Sequence, residues 1–269
     1  MNRDAFRVTR YPQGAFSWVD LSSTDAAASQ TFLTELMGWD ALEISLGEAA
    51  HEFYTMLSLE GANVAGMSQH SPEMMEQQIP SVWNSYITVL DLDAFIPRIT
   101  ELGGTIVAGP IDIFDSGRMI MLIDPSGAYV SLWQPRSHIG ASLVNCPGAP
   151  VWNELLTTDR AASQAFYSAL FGWQFVAFDE HTVEIRNQGR ANAGLYTGAT
   201  DLAHSYWRVY FAVADLDQSA AQVLALGGSF IQPIEQLDAD HRRLLIRDPA
   251  GAEFGLLELA QPDPWQETE

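Results

Sequence analysis

The sequence predicts an α+β fold made of four strand-helix-three-strand (βαβββ) modules, arranged as two similar halves. The first observation is a repeat, in which AFSWVDLSSTDAAASQTFLTELMGW, beginning at Ala15, returns as PVWNELLTTDRAASQAFYSALFGW from Pro150. In a second repeat, VLDLDAFIPRITELGG returns as VADLDQSAAQVLALGG. Because 269 residues are enough for two domains of ordinary size, we predict domains at residues 14–135 and 148–260.

The spacing of the repeats shows where the two halves differ in length. Trp18 and Trp152 lie 134 positions apart, whereas the DPSG and DPAG motifs at Asp124 and Asp248 lie 124 positions apart. The second half therefore lacks ten residues between these blocks. We place the difference in a loop, because loops tolerate deletions.

The first module has the signals of a strand followed by a helix. FSWVDLS alternates in polarity as a strand does. Asp25 stands where a helix N-cap is expected, and Phe32 and Leu36 then share one helix face. Gly38 ends the helix, as glycine commonly does. Three strand-like runs complete the module: ALEISL, HEFYTMLSL and ANVAGM.

The same pattern restarts in the second module. SYITVLDLD is predicted as a strand, Asp93 as the next N-cap with Asp217 as its counterpart, and Gly103-Gly104 as the helix end. Three more strands follow in TIVAG, RMIMLID and AYVSLWQ. The DPSG motif between the last two has the residues of a type I turn.

Composition excludes several classes of function. The formal net charge is −21 and all 13 basic residues are Arg, so the chain repels nucleic-acid phosphates and anionic membrane surfaces. We interpret the charge as a solubility device, with attraction of a cationic ligand as the alternative. The single cysteine, Cys146, excludes an internal disulfide and a Cys-based zinc site.

Membrane and export signals are absent from the sequence. No apolar run reaches the roughly 18 residues of a membrane helix, and MNRDAFRVTRYPQG lacks the apolar segment of a secretory signal. We therefore expect a cytoplasmic protein, monomer or homodimer, with no nucleic-acid or membrane partner.

The repeated motif resembles that of a known superfamily. Paired βαβββ modules carrying D-x-x-x-S-x-x-F-[YL]-x-x-[LF]-x-G-W are similar to the vicinal oxygen chelate (VOC) superfamily. That superfamily includes glyoxalases, bleomycin-resistance proteins and extradiol dioxygenases. The resemblance covers about residues 14 to 260 and implies a tandem protein with two glyoxalase-like half-barrel domains.

The resemblance also implies positions for a catalytic metal on the concave face of each half-barrel. Carried over by position, they fall on Trp18, Asn84 and Ser131 in the first half, and on Trp152, Arg208 and Gly255 in the second. Neither set supplies the oxygen and imidazole donors of a divalent ion, so we expect no cofactor and no family-type metal. The alternative is a divalent metal with unusual ligands: Asp20, Glu154 and a loop histidine.

Strand alternation selects the side chains that face the concave side. Val19 and Leu21 are expected to pack under the helix, which turns Trp18 and Asp20 into the hollow. The same parity selects Asn84, Tyr86, Tyr129, Ser131 and Trp133 in the first half, and Trp152, Glu154, Arg208 and Tyr210 in the second. Arg118 is expected in a loop over the mouth, within reach of a ligand.

These residues predict a small-molecule site with aromatic walls and one carboxylate in each half, which suits planar or cationic molecules. Asp20 and Glu154 are the candidate general bases. Three alternatives stay open: the tryptophans only fill space, Arg208 forms a structural ion pair with Glu154, or one half is only a scaffold. The function expected is a glyoxalase- or bleomycin-resistance-like binder or enzyme without a family-type metal; the alternative is a metal-dependent lyase or dioxygenase.

Overall fold

The protein was analysed as a computed structural model that describes residues 3–46, 53–198, 202–260 and 264–265. Its first half contains β1 (Phe16–Ser23), α1 (Ala26–Met37), β2 (Asp40–Ser45), β3 (Phe53–Leu59), β4 (Ala62–Gln69), α2 (Pro72–Glu76), β5 (Val82–Thr88), α3 (Leu92–Glu101), β6 (Thr105–Ile113), β7 (Gly117–Ile123) and β8 (Tyr129–Pro135). Its second half contains β9 (Pro150–Leu156), α4 (Arg160–Phe171), β10 (Gln174–Ala177), β11 (Thr182–Asn187), β12 (Arg190–Tyr196), β13 (Tyr206–Val213), α5 (Leu216–Ala225), β14 (Ser229–Gln236), β15 (His241–Arg247) and β16 (Glu253–Leu259). No helix in these ranges is both long and apolar enough to cross a membrane.

Each half forms one mixed eight-stranded sheet, and the four predicted modules are present. The strand orders are β2-β3-β4-β1-β5-β8-β7-β6 and β10-β11-β12-β9-β13-β16-β15-β14. The two modules of a half join through the antiparallel pairs β1–β5 and β9–β13, so the modules pair within the halves. The ten-residue difference lies around two connections: residues 178–182 correspond to 44–54, which are six residues longer, and residues 197–205 correspond to 69–81, which are four residues longer.

The helix ends follow the sequence signals, with one correction. Asp25 caps α1 and accepts a hydrogen bond from the backbone of Ala28. The second helix of each half, however, is capped by Asp91 or Asp215, and not by Asp93 or Asp217 as predicted. The Leu between the two aspartates must begin the helix, because it is fully buried in the core. Asp93 and Asp217 lie in the first turn, where an acid is still favourable to the helix dipole.

The hydrophobic core is shared between the halves. One cluster joins α1 of the first half to α5 of the second, and Phe32 contacts Phe254 with ring centroids 6.5 Å apart. A second cluster joins α3 to α4, where Phe95 contacts Phe171 at 5.5 Å. The predicted parity of β1 is confirmed here, since Val19 and Leu21 belong to the first cluster.

A polar contact also crosses between the halves. The Ser29 hydroxyl of α1 donates to Asp248 at 2.6 Å, and Asp248 is 4% exposed. We expect Ser29→Ala to lower the free energy of unfolding by about 1–3 kcal/mol, because a buried carboxylate loses a donor. Urea unfolding at neutral pH measures the loss.

The matched control for this contact is Ser163→Ala. Ser163 occupies the same place in the second repeat, but among the described residues its hydroxyl bonds to Thr157 and to the backbone of Asp159, both within its own half. A smaller loss, about 0.5–1.5 kcal/mol, is expected for this neutral bond. Equal losses in the two variants would contradict a special role for the contact between halves.

Candidate functional site

The concave faces of the two sheets differ in how they are filled; we call them the first hollow and the second hollow. In the first hollow a compact apolar cluster occupies the space. Its buried members are Val8, Tyr11, Ala15, Trp18, Tyr86, Trp133, Ala141 and Val144. Segments before β1 and after β8 thus supply part of the filling, which leaves the first hollow packed with protein.

Asp20 lies in the first hollow as the centre of a hydrogen-bond network. Tyr86 donates to its Oδ2 at 2.8 Å, and Asn84 donates to its Oδ1 at 2.9 Å. Tyr54 also donates to Oδ2, at 3.2 Å, and itself accepts from Trp18 Nε1 at 2.9 Å. Burial raises the pKa of Asp20, an effect that these donors partly oppose.

His138 closes the first hollow from the connection between the halves. Its ring meets Trp18 edge-on at 4.6 Å and Trp133 at 5.9 Å. Its backbone oxygen accepts from Trp133 Nε1 at 2.8 Å. Burial between these rings lowers the pKa of His138 to about 4, since a charged imidazolium would be poorly solvated there.

The first-half residues that were predicted to bind a ligand therefore lie in different environments: some are buried in protein, one is exposed, and one lines a cavity. Ser131 is fully buried beside Tyr86 on the neighbouring strand, so it contacts protein. Tyr129 was predicted to face the hollow but is 54% exposed, because it is the first residue of β8, directly after the DPSG turn. Trp18 both fills the first hollow and lines the cavity described next.

The prediction for Arg118 is wrong. The residue lies within the β6–β7 hairpin and not in a loop over the mouth. Its guanidinium donates to Asp93 of α3 at 2.8 and 3.1 Å, on the helix side of the sheet. Its neighbour Met119 faces the hollow instead, as alternation along β7 requires.

A cavity of about 890 Å³ opens at the second hollow. From the sheet it is lined by Trp152, Glu154, Gly194, Tyr196, Tyr210 and Arg243. Opposite these, residues 15–19 of the first half form a wall together with Tyr11, Ala141 and Trp265. Loop residues 178–181 and 237–238 reach its rim, and Phe178 there is 80% exposed.

Register explains why the second hollow is open and the first is not. In the first half, the Tyr54 ring lies over Gly66, and its hydroxyl is 1.9 Å from where a Cβ at that glycine would stand. In the second half, the strand position that matches Tyr54 is Thr182, which pairs with Tyr196 as Tyr54 pairs with Ser68. Because threonine has no ring, nothing from this strand position covers Gly194, which lines the cavity beside the Trp152 indole.

Glu154 lies at the floor of the second hollow with three polar partners. Tyr210 donates to its Oε2 at 2.7 Å. The Nη1 atoms of Arg208 and Arg243 lie 3.6 and 3.7 Å from its two carboxylate oxygens. Burial, and then the nearby carboxylate, raise the pKa of Tyr210 above its usual range, so this hydroxyl remains a donor.

The second-half predictions meet in one place. Trp152, Glu154 and Tyr210 line the cavity, and the predicted pair of Arg208 with Glu154 is present, with Arg208 8% exposed. Arg243 was missed. The alternation of HRRLLIR could have predicted its position. Leu244 and Ile246 pack into the core, so Arg243 lies on the opposite, concave side of the strand.

Comparisons with known proteins agree with this architecture. The family model described as Glyoxalase/Bleomycin resistance protein/Dioxygenase superfamily matches residues 15–132, and that described as Glyoxalase-like domain matches residues 152–257. CFP32 of Mycobacterium tuberculosis, which carries a glyoxylase name, is 36% identical over 96% of this chain and 98% of its own. The chain belongs to the glyoxalase superfamily.

Other superfamily members are more distant in sequence or named differently. The anthracycline biosynthesis protein DnrV of Streptomyces peucetius is 33% identical over 96% of this chain and 98% of its own. The Mn(II)-bound glyoxalase of Novosphingobium aromaticivorans covers 96% of this chain and 84% of its own with a TM-score of 0.65. Its identity is 13%, so it shows the shared fold only.

The metal of such glyoxalase relatives does not fit the donors present here. At Gly255 there is no side chain, and the Tyr210 ring stands 2.0 Å from where a Cβ would lie. Arg208 brings a positive charge to a further ligand position. Within the described ranges no three His, Cys, Asp or Glu side chains group as metal ligands. Asp20 and Glu154, the alternative ligands, belong to different sheets.

Proposed function

We propose that this glyoxalase-superfamily protein binds a planar aromatic small molecule in the second hollow, without a family-type metal. The observation that carries the proposal is the asymmetry of the halves: a cavity of about 890 Å³ at the second hollow, and side chains in the matching place of the first. Its volume is in the range of small-molecule sites. The first half then serves as scaffold and as one wall of the site.

The chemistry of the walls supports an aromatic ligand. Trp152, Tyr196 and Tyr210 present rings from the sheet, and Tyr11 and Trp265 from the opposite side. Aromatic rings stack on planar molecules with a gain of about 0.5–1.5 kcal/mol beyond area burial. DnrV and DauV, both named as anthracycline biosynthesis proteins, are relatives across the whole length, which supports a role in the handling of small organic molecules.

The two candidate bases have different roles in this proposal. Glu154 faces the cavity and is the group placed to orient the ligand or exchange a proton with it. Asp20 is surrounded by Tyr54, Asn84 and Tyr86, and we assign it a structural part in filling the first hollow.

Titration of the protein with naphthalene, followed by tryptophan fluorescence, tests the proposal. Trp152→Ala is expected to weaken binding about tenfold, because a cavity wall loses its ring. The matched control is Tyr129→Ala, which removes an exposed ring outside the cavity and is expected to leave affinity unchanged. No binding by the unmodified protein, or equal effects of the two variants, would contradict the proposal.

The second candidate function is a metal-dependent lyase or dioxygenase. Its support is the fold of solved relatives such as the trihydroxybiphenyl dioxygenase of Sphingomonas wittichii, with a TM-score of 0.65 and 14% identity. Metal analysis of purified protein distinguishes the two candidates. A stoichiometric divalent metal, together with a loss of thermal stability on chelation, would favour this one.

A further inference from the structure

We infer that His241, held by Asp238 at the rim of the second hollow, accepts a hydrogen bond from a hydroxyl group on the aromatic ligand. The inference rests on the proposed function and names the class of ligand, a planar aromatic molecule that carries a hydroxyl. His241 is then a specificity-determining residue, and Asp238 is its positioning residue.

The first step in the argument is the place of His241 in the sheet. Along β15 the side chains of Leu244 and Ile246 enter the core, so the side chain of His241 belongs to the opposite, concave side. His241 lines the cavity, as does Leu259, its partner on β16. The His241 side chain is 40% exposed, so a ligand that enters the cavity can reach it.

The second step is the state of the imidazole ring. Both carboxylate oxygens of Asp238 lie 2.8 Å from His241 Nδ1. This hydrogen bond lowers the pKa of Asp238 from its ordinary value, so the carboxyl group is ionised at neutral pH. Because a carboxylate only accepts hydrogen bonds, Nδ1 carries the proton, and Nε2 of the neutral ring keeps a lone pair. No described residue bonds to Nε2, which is therefore the atom available to a donor on the ligand.

The turn between β14 and β15 fixes this pair. Leu237 donates its backbone N–H to the carbonyl oxygen of His241 at 2.9 Å, which closes the turn. The backbone N–H of Asp240 donates to Asp238 Oδ1 at 2.8 Å, so the carboxylate is also held by its own loop. The orientation of the His241 ring is consequently set before a ligand arrives.

His181 is the other histidine in the cavity lining, and nothing orients its ring in the same way. Asp179 accepts from the backbone N–H of His181 at 2.7 Å, and no hydrogen bond joins the ring to a described residue. No partner therefore selects which ring nitrogen of His181 is the acceptor.

The third step is the hydrogen-bonding character of the rest of the lining. Six carboxylates line the cavity: Glu154, Asp179, Glu180, Glu184, Glu235 and Asp238. Among the described lining residues Arg243 is the only arginine, and it already donates to Glu235 at 2.8 Å. Ionised carboxylates accept hydrogen bonds and donate none, so the lining is rich in acceptors. A ligand that brings a hydroxyl donor suits it better than one that brings only acceptors.

Three probes of similar shape test the inference: naphthalene, 2-naphthol and 2-methoxynaphthalene. The last two share an oxygen at the same position, but only 2-naphthol has an O–H donor. Calorimetric titration at neutral pH is expected to show that 2-naphthol binds about threefold to tenfold more tightly than 2-methoxynaphthalene, as one net hydrogen bond gives. In His241→Phe this preference is expected to disappear, with naphthalene affinity retained, because phenylalanine keeps a ring but has no acceptor.

Asp238→Asn tests the positioning role. The asparagine oxygen can still accept from Asp240, so the turn stays closed, but the amide NH₂ can donate to Nδ1 and leave the proton on Nε2. The preference for 2-naphthol is expected to vanish or to reverse in favour of 2-methoxynaphthalene. A purely structural role of Asp238 would not change which of these two probes binds more tightly.

The matched control is His204→Phe, which makes the same substitution at an exposed histidine outside the cavity lining. It is expected to leave the preference unchanged. Circular dichroism checks that all three variants are folded.

The outcomes separate the two claims. If naphthalene binds but 2-naphthol has no advantage over 2-methoxynaphthalene, or if His241→Phe keeps the advantage, the inference is overturned and the proposed function stands. If none of the probes binds the unmodified protein, both are overturned. An unchanged preference in Asp238→Asn would refute the positioning role. Should His241→Phe fail to fold, His241→Leu replaces it, with the same loss of preference expected.

Discussion

Thr182→Tyr is expected to close the second hollow and to weaken binding of naphthalene at least about tenfold. The variant copies into the second half the tyrosine that fills the first, where the Tyr54 ring lies over Gly66 and bonds to Asp20. Gly194 also lacks a side chain, with Trp152 Nε1 3.0 Å from where a Cβ would stand, and Glu154 offers the same kind of acceptor. The new ring should therefore enter the cavity next to Trp152 without unfolding the protein and should exclude the ligand by occupying its volume.

Fluorescence titration and a thermal melt measure this effect together. Thr182→Ser is the matched control, since it changes the same position but adds no volume, and it should bind naphthalene as the unmodified protein does. Undiminished affinity in a folded Thr182→Tyr protein would mean that the ligand does not use this hollow.

The second large effect is on stability in acid, through His138. Its pKa is about 4 in the folded protein, against about 6.5 when unfolded. Because the unfolded state binds the proton more readily, the stabilising contribution is complete above about pH 6.5 and is lost as the pH falls toward 4. The difference of about 2.5 units corresponds to roughly 3 kcal/mol.

His138→Phe should abolish this part of the acid loss, because phenylalanine packs between Trp18 and Trp133 without titrating. Urea unfolding at several values between pH 7 and pH 4 measures it. The matched control is His204→Phe, which replaces an exposed histidine and should keep the profile of the unmodified protein. A His138→Phe profile parallel to that of the unmodified protein would refute the assignment.

Asp20 is expected to have the opposite effect on stability in acid. Burial raises its pKa, so the folded state binds the proton more tightly, and stability gained from this group increases as the pH falls toward the raised pKa. Asp20→Asn should therefore lose stability more steeply in acid than the unmodified protein. The acid profile of the unmodified protein is expected to contain both effects, which is why both variants are needed.

Much of the fold follows from short-range sequence signals. The repeats and helix caps such as Asp25 lie within stretches of a few residues, and alternation in β1 separates Val19 from Trp18 by period alone. The hydrogen-bond network of Asp20 is harder to predict from the sequence, because Tyr54 and Asn84 come from strands that are distant in sequence. Asp93 is the predicted N-cap, whereas Asp91 is the observed one, because the buried Leu92 is the first residue of the helix.

Which hollow stays open was beyond prediction from the sequence. The difference depends on Tyr54 against Thr182, and these residues do not align without the strand register. It depends also on residues such as Tyr11 and Val144, which fold back from segments outside the repeated modules. Arg243 illustrates a simpler omission, since alternation along β15 was sufficient to find it.

The clusters that join α1 to α5 and α3 to α4 have a consequence for how this repeat protein diverges. Neither half has a complete hydrophobic core of its own, so an isolated half would expose apolar surface to water. The two halves should therefore unfold together in a single cooperative step. Side chains in these two clusters pack against residues of the other half, so their size and shape are constrained by that contact. Concave positions lie outside these two clusters, and there the side chains of the first half fill their hollow while those of the second half leave a cavity open.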